Sequence, residues 1–133
     1  MDVQIIPGKS VGKYKLGMTC GELMKILRSE NIAHKEVTLP TCLKIETENI
    51  SFWLIDNRLE QITVYGDFKG KLGDVGIGSS LTDVKEHIGE IKNGEFDIVP
   101  TYELKDTKGI CFELAESDLD ETQTPIEAIS IFR

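Results

Sequence analysis

The fold prediction depends on a segment that occurs twice in the chain, GMTCGELMKIL at residues 17–27 and GSSLTDVKEHI at residues 78–88. In each copy a hydroxyl residue, Thr19 or Ser80, stands where a helix N-cap is expected, and an acidic residue follows three positions later. Such a hydroxyl accepts hydrogen bonds from the free N–H groups of the first helical turn. Each copy is therefore predicted to begin a short helix.

Apolar residues behind each cap recur with the spacing of a helix that buries one face. Leu23, Ile26 and Leu27 show this spacing in the first copy, and Val84 and Ile88 show it in the second. Residues three and four apart lie on the same side of an α-helix. The pattern predicts two short amphipathic helices.

The hydrophobic period changes to two after each predicted helix, which is typical of β-strands. The segment ISFWL at residues 50–54 is matched by ICFEL at residues 110–114, and LEQITVY at residues 59–65 is matched by IEAISIF at residues 126–132. These matches predict an α+β fold made of two tandem repeats, each a helix followed by an antiparallel meander, with the helices packed on one face of the sheet.

The repeats are predicted to form a single domain over residues 1–133, with repeat one at about 11–66 and repeat two at about 73–133. A half of this size would bury a core poorly by itself. The halves differ at one hairpin, where the first has Asp56-Asn57 and the second has seven extra residues between Leu114 and Ile126. The longer connection is acidic and is predicted to be a flexible loop.

Composition limits the classes of partner. The chain has 23 acidic and 15 basic residues, a formal net charge of −8 and a pI of about 4.8. Clustered Lys and Arg residues provide most of the affinity for nucleic acids and anionic membranes, so neither is expected as a partner. A basic protein is favoured. The N-terminus lacks the pattern of a signal peptide, which favours a cytoplasmic location.

Motifs that would indicate catalysis or metal binding are incomplete. The segment PGKS at residues 7–10 resembles the end of a phosphate-binding loop but lacks the required earlier glycine, because position 3 is Val3. The two histidines, His34 and His87, do not have the spacing of a zinc site. The three cysteines are widely separated. We therefore expect no enzymatic activity, no metal and no cofactor.

Two features could form a partner-binding surface. One is the acidic loop, and the other is the sheet face opposite Phe52 and Leu54, where exposed aromatic side chains would be strong binding contacts. The candidate partner-binding residues are Glu116, Asp118, Asp120, Glu121, Trp53 and Tyr65.

The phrase VGKYKLGMT at residues 11–19, followed by ELM at residues 22–24, resembles tandem-repeat proteins of the β-lactamase-inhibitor type. In size, acidity and lack of catalytic motifs the chain also resembles bacterial immunity proteins of toxin/immunity pairs, of the contact-dependent growth inhibition type. This second resemblance implies a non-catalytic intracellular protein that binds a cognate basic toxin domain, a nuclease, and occludes its active site.

Two alternatives of other classes stay open. One is a small-molecule-binding or enzymatic domain with its site between the repeats. The other is a homodimeric structural module that buries Trp53 and Tyr65 in its own interface.

Overall fold

The computed structural model describes residues 3–94 and 100–133. Within these ranges the chain forms two α-helices and eleven β-strands: β1 (Ile5–Ile6), β2 (Ser10–Val11), β3 (Tyr14–Lys15), α1 (Cys20–Ser29), β4 (Lys35–Thr38), β5 (Leu43–Glu46), β6 (Ile50–Ile55), β7 (Arg58–Tyr65), α2 (Leu81–His87), β8 (Ile91–Asn93), β9 (Tyr102–Leu104), β10 (Ile110–Leu114) and β11 (Ile126–Phe132).

Both helices begin at the predicted caps. The backbone N–H of Glu22 donates to Thr19 Oγ1 over 3.2 Å, and Glu22 Oε1 accepts from the backbone N–H of Thr19 over 3.0 Å. Ser80 and Asp83 form the same reciprocal pair at 3.2 and 2.9 Å. The prediction of two capped helices is confirmed. In the described ranges, neither helix is long and apolar enough to cross a membrane.

Eight strands form one antiparallel sheet in the order β4-β5-β6-β7-β11-β10-β9-β8. Strands β4 to β7 are neighbours in sequence order, and so are β8 to β11. The two runs meet where β7 pairs with β11, with Val64 opposite Ile129 and Ile62 opposite Ile131. One hydrogen-bonded sheet therefore contains strands from both halves of the chain.

The predicted fold class is wrong. Strand and isolated β-bridge residues make up about 40% of the described residues and helices 13%, so the protein is mainly β rather than an α+β arrangement of two helix-plus-meander repeats. Eight strands share one sheet, and β1, β2 and β3 form a second sheet. Part of this second sheet lies within the bounds predicted for repeat one but belongs to neither its helix nor its meander. The prediction failed because the matched segments show only the local spacing of hydrophobic residues. Which strands share a sheet depends instead on hydrogen bonds between strands that are distant in sequence.

The three-stranded N-terminal sheet links distant parts of the chain. The backbone N–H of Ile5 donates to the carbonyl of Lys71, and that of Gly8 donates to the carbonyl of Gly109 at 3.0 Å. Gly109 has a φ of +82°, and a Cβ there would lie only 2.7 Å from the Cα of Gly8. Glycine is needed at this contact because the two backbones touch.

The hydrophobic core lies on one face of the eight-stranded sheet. Leu23 and Leu27 of α1 and Val84 of α2 are buried there against strand residues. Alternation along each strand sends the intervening side chains to the opposite face. The largest fully buried strand side chains are Phe52, Phe112, Ile45, Leu59, Ile62, Ile110, Ile126, Ile129 and Ile131.

Candidate functional site

The sheet face opposite the core contains a groove of about 810 Å³, which we call the sheet groove. It crosses the junction of β7 and β11, so residues from both halves of the chain line it. The lining residues are Lys44, Glu46, Ser51, Trp53, Gln61, Thr63, Tyr65, Gly66, Ile77, Gly78, Glu113, Ala115, Pro125, Ile126, Glu127, Ala128 and Ser130.

Small hydroxyl residues form the floor of the sheet groove. Ser51 lies opposite Thr63, and Thr63 lies opposite Ser130, so the three side chains form one row across β6, β7 and β11. We call this the hydroxyl row. Opposed residues of an antiparallel pair point to the same face of the sheet. Because larger side chains surround this row, the centre of the face is recessed.

The hydroxyl row is hydrogen-bonded within the protein. Thr63 Oγ1 and Ser130 Oγ are 2.7 Å apart, and Gln61 Nε2 donates to Thr63 Oγ1 over 3.2 Å. Ser51 Oγ lies 3.0 Å from the Tyr65 hydroxyl, which in turn donates to the carbonyl of Thr47. These bonds explain how Ser51 and Ser130 can be only 3% and 5% exposed without an energetic penalty.

The charges that line the sheet groove are mainly negative. Its lining includes one lysine, Lys44, and three glutamates, Glu46, Glu113 and Glu127. Lys44 Nζ lies 2.8 Å from Glu46 Oε1, and this hydrogen bond and charge lower the pKa of Glu46. Among the described residues, Glu113 and Glu127 form no salt bridge. The groove therefore contains two carboxylates that form no salt bridge in the described part of the chain.

Aromatic side chains flank the hydroxyl row on opposite sides. Trp53 lies opposite Gln61 on one side, and Tyr65 lies beside Asn49 on the other. Both line the sheet groove, on the face where the sequence predicted them. The Tyr65 hydroxyl is occupied by Ser51 and Thr47, so Tyr65 contributes its ring rather than a free hydroxyl.

The acidic loop connects β10 and β11 and is tied to the fold by hydrogen bonds. The carbonyl of Thr122 accepts from the hydroxyl of Thr82 in α2 at 3.1 Å. Asp120 Oδ1 accepts from the backbone N–H and the hydroxyl of Thr122, and these bonds lower the pKa of Asp120. The Tyr102 hydroxyl donates to Glu121 Oε2 over 2.8 Å. Two of the four predicted acids thus hold the loop in shape.

The other two predicted acids, Glu116 and Asp118, are exposed and line a shallow depression beside Ala115. Ala115 also lines the sheet groove, so the depression and the groove are adjacent. The structure therefore does not merge the four acids with Trp53 and Tyr65 into a single patch. Glu116 and Asp118 lie next to the groove, Asp120 bonds within the loop, and Glu121 bonds to Tyr102 of β9. Glu116 and Glu121 also line one depression of about 440 Å³.

The hydroxyl row was missed by the sequence prediction, although a signal was present. Thr63 and Ser130 occupy equivalent positions in the matched segments at residues 59–65 and 126–132. A hydroxyl repeated on the outward face of two strands marks a polar surface. What the sequence does not show is that these strands are neighbours.

Two further groups bear on the chemistry of the surface. Cys111 lies opposite Ser130 in the strand register, and burial raises the pKa of its thiol to about 11, so the thiol is neutral at pH 7. On α2, ligand atoms of Asp83, Glu86 and His87 lie within 4.8 Å of one another. The carboxylate of Asp83 accepts hydrogen bonds from Ser80 and is therefore part of the N-terminal cap of α2.

No protein-family model and no curated protein matches this chain. The solved structures with a similar fold include the following two. The uncharacterized protein yfeY from Escherichia coli aligns over 100% of both chains with a TM-score of 0.66 and 12% identity. A cysteine-rich secretory protein from Staphylococcus aureus aligns with a TM-score of 0.52 and 12% identity, and this chain spans 51% of its length. At this identity the likeness shows a shared fold and no more.

Proposed function

We propose that this protein is a non-catalytic binding module that docks a basic segment of another protein in the sheet groove. The observation that supports the proposal most directly is a single recess that combines two flanking aromatic side chains, a hydrogen-bonded polar floor and two carboxylates without a salt bridge among the described residues. Protein-binding surfaces combine aromatic anchors with polar groups that are already satisfied.

Electrostatics favours a basic partner. The net charge of −8 gives the whole molecule a negative field, and Glu113 and Glu127 extend that charge into the groove. Complementary charge speeds association because the partner is attracted before contact. Glu116 and Asp118, next to the groove at Ala115, enlarge the negative surface that the partner meets.

The specific form of the proposal is a cytoplasmic immunity protein whose partner is a basic nuclease toxin. A toxin cleft that binds nucleic acid carries clustered Lys and Arg residues, which match an acidic groove. Docking of a basic segment that borders this cleft in the sheet groove would block the nucleic acid substrate. Toxin inhibition then requires no chemical step by this protein.

A charge-reversal pair tests the role of the groove. An immunity gene is expected to lie directly downstream of its toxin gene, so the product of the gene directly upstream is the partner to test. We expect Glu113→Lys combined with Glu127→Lys to slow association with this partner by about tenfold or more at low salt, because attraction becomes repulsion. The matched control is Glu86→Lys with Glu90→Lys, which changes the net charge equally at exposed positions outside the groove lining. Association rates would be measured by stopped-flow fluorescence at low and high salt.

Equal rates for the two double variants would remove the groove from the proposal. Absence of any complex between the wild-type protein and the upstream gene product would remove the immunity hypothesis. The role of the loop is tested separately with Glu116→Ser and Asp118→Ser. These two changes leave the bonds of Asp120 and Glu121 in place, so the loop keeps its shape.

A small-molecule site is the second candidate, and the volume of the groove favours it. A groove of about 810 Å³ lies within the range of roughly 300–1,000 Å³ that is common for ligand sites. This candidate predicts that a low-molecular-weight ligand raises the Tm of the wild-type protein, and that Thr63→Val removes the shift. A shift that survives the substitution would place the ligand outside the groove.

A further inference from the structure

The ammonium group of Lys44 lies above the ring of Trp53. Lys44 lies directly opposite Trp53 in the pairing of β5 with β6, and its Nζ is 4.9 Å from the ring centroid. The same ammonium group lies 2.8 Å from Glu46 Oε1. Glu46 is two residues along β5 and therefore projects from the same face.

An aromatic face next to a carboxylate is a recognition set for organic cations. The ring attracts a cation through its quadrupole, and the carboxylate accepts its hydrogen bonds. Both groups line the sheet groove, with Lys44 between them. The side chains of Lys44 and Glu46 are 25% and 34% exposed. Solvent therefore weakens this ion pair, and a competing cation can reach it.

Arginine would be the stronger occupant. Its planar guanidinium stacks on an aromatic ring and can donate two parallel hydrogen bonds to one carboxylate, which an ammonium group cannot do. Displaced Lys44 would return to water, where a lysine side chain is well hydrated. The exchange therefore replaces a weaker internal contact with a stronger external one.

We propose that Trp53 and Glu46 form a cation subsite that Lys44 fills in the free protein and that an arginine side chain of the bound partner takes over. This inference rests on the proposed function, because it names the residue type that the partner inserts. Lys44 then acts as an internal competitor: a partner segment without an arginine does not displace it.

The subsite can be tested without the partner because Trp53 is the protein's single tryptophan. Argininamide would be titrated at constant ionic strength into ¹⁵N-labelled wild-type protein, Lys44→Ala and Lys44→Met, and the Trp53 indole resonance would be followed. Removal of the competitor should increase the initial slope of the chemical-shift change about fivefold in both variants, the size expected for an exposed cation–π contact. Lys44→Met keeps an apolar side chain over the ring.

Two controls separate the subsite from non-specific effects. Adding Glu46→Gln to Lys44→Ala should return the slope to the wild-type value, and acetamide at equal concentration should give no slope difference between variants. Equal argininamide slopes in wild type and both Lys44 variants would overturn the proposal, as would a slope that is unchanged by Glu46→Gln. Failure here leaves the Glu113 and Glu127 test intact, because neither residue belongs to the subsite.

Discussion

Residues at the centre of the sheet show how side-chain size and hydrogen bonding shape the molecule. Ser51, Thr63 and Ser130 are small enough to create a recess, and their hydroxyls are satisfied within the protein. Buried polar groups are tolerated only when they are paired. The recess is therefore a stable part of the native fold and does not need a ligand to satisfy its floor.

The buried thiol of Cys111 should make the stability of the folded protein depend on pH. Burial, the largest cause, raises the pKa of its thiol from 9.0 to about 11. The native state holds the thiol proton more tightly than the unfolded state, so the related stability is full below pH 9 and is lost as the pH rises toward 11. The loss amounts to about 2–3 kcal/mol at most. It would be measured by urea unfolding of wild type and Cys111→Ala between pH 8 and 11.

The difference between the two proteins isolates the thiol, since the tyrosines and lysines titrate in both. We expect the stability difference to fall as the pH rises, because only the wild type must ionise a buried group. A difference that stays constant from pH 8 to 11 would show that the thiol pKa is not raised by the fold.

The β6–β7 hairpin forms a hydrogen bond with the start of α1. Asp56 and Asn57 have φ angles of +49° and +62°, as expected for the tight turn predicted at this pair. Asn57 has a second role, because its Oδ1 accepts from the backbone N–H of Cys20 in the first turn of α1 at 3.1 Å. A turn residue therefore also satisfies a free N–H group of the helix.

This double role predicts an outcome that turn statistics alone would not. Asn57→Gly suits the turn better but removes the acceptor for Cys20, so we expect a loss of about 0.5–1 kcal/mol in unfolding free energy. Asn57→Asp keeps an acceptor and adds a negative charge at the helix N-terminus, which is favourable. It should retain wild-type stability in urea denaturation. A glycine variant more stable than wild type would show that the Cys20 contact contributes little.

The whole molecule depends on the pairing of β7 with β11, which unites the sheet. Ile62 and Val64 of β7 face the core together with Ile129 and Ile131 of β11. The N-terminal sheet adds a second link through Gly8 and its contact with Gly109. Separation of the halves would expose both strand edges and divide the core.

Fragments 1–73 and 74–133 test this dependence. Neither fragment alone should show a cooperative thermal transition, because each would expose an apolar strand edge and has too small a core. An equimolar mixture should recover part of the signal of the intact chain as β7 pairs with β11. Far-UV circular dichroism with thermal melting would measure both. A cooperative transition in either isolated fragment would mean that the chain consists of independently folding units.

The predictability of the candidate site varied from residue to residue. Trp53 and Tyr65 were predicted from strand alternation, because a period of two fixes the face of each side chain. Asp120 and Glu121 stay predictions as partner contacts, and the structure adds that Asp120 bonds to Thr122 within the loop while Glu121 accepts from Tyr102 of β9. Charge pattern alone cannot distinguish a free carboxylate from one that a distant hydroxyl such as that of Tyr102 occupies.

The sequence by itself determined the local features of this protein: where α1 and α2 begin, which strand residues alternate, and which hairpin carries the tight turn. These depend on interactions within a few residues, such as Thr19 with Glu22. Only the tertiary structure decided that the protein is mainly β, that β7 pairs with β11, and that a groove forms there. Those features depend on strands more than sixty residues apart in sequence, which burial of the shared core brings together.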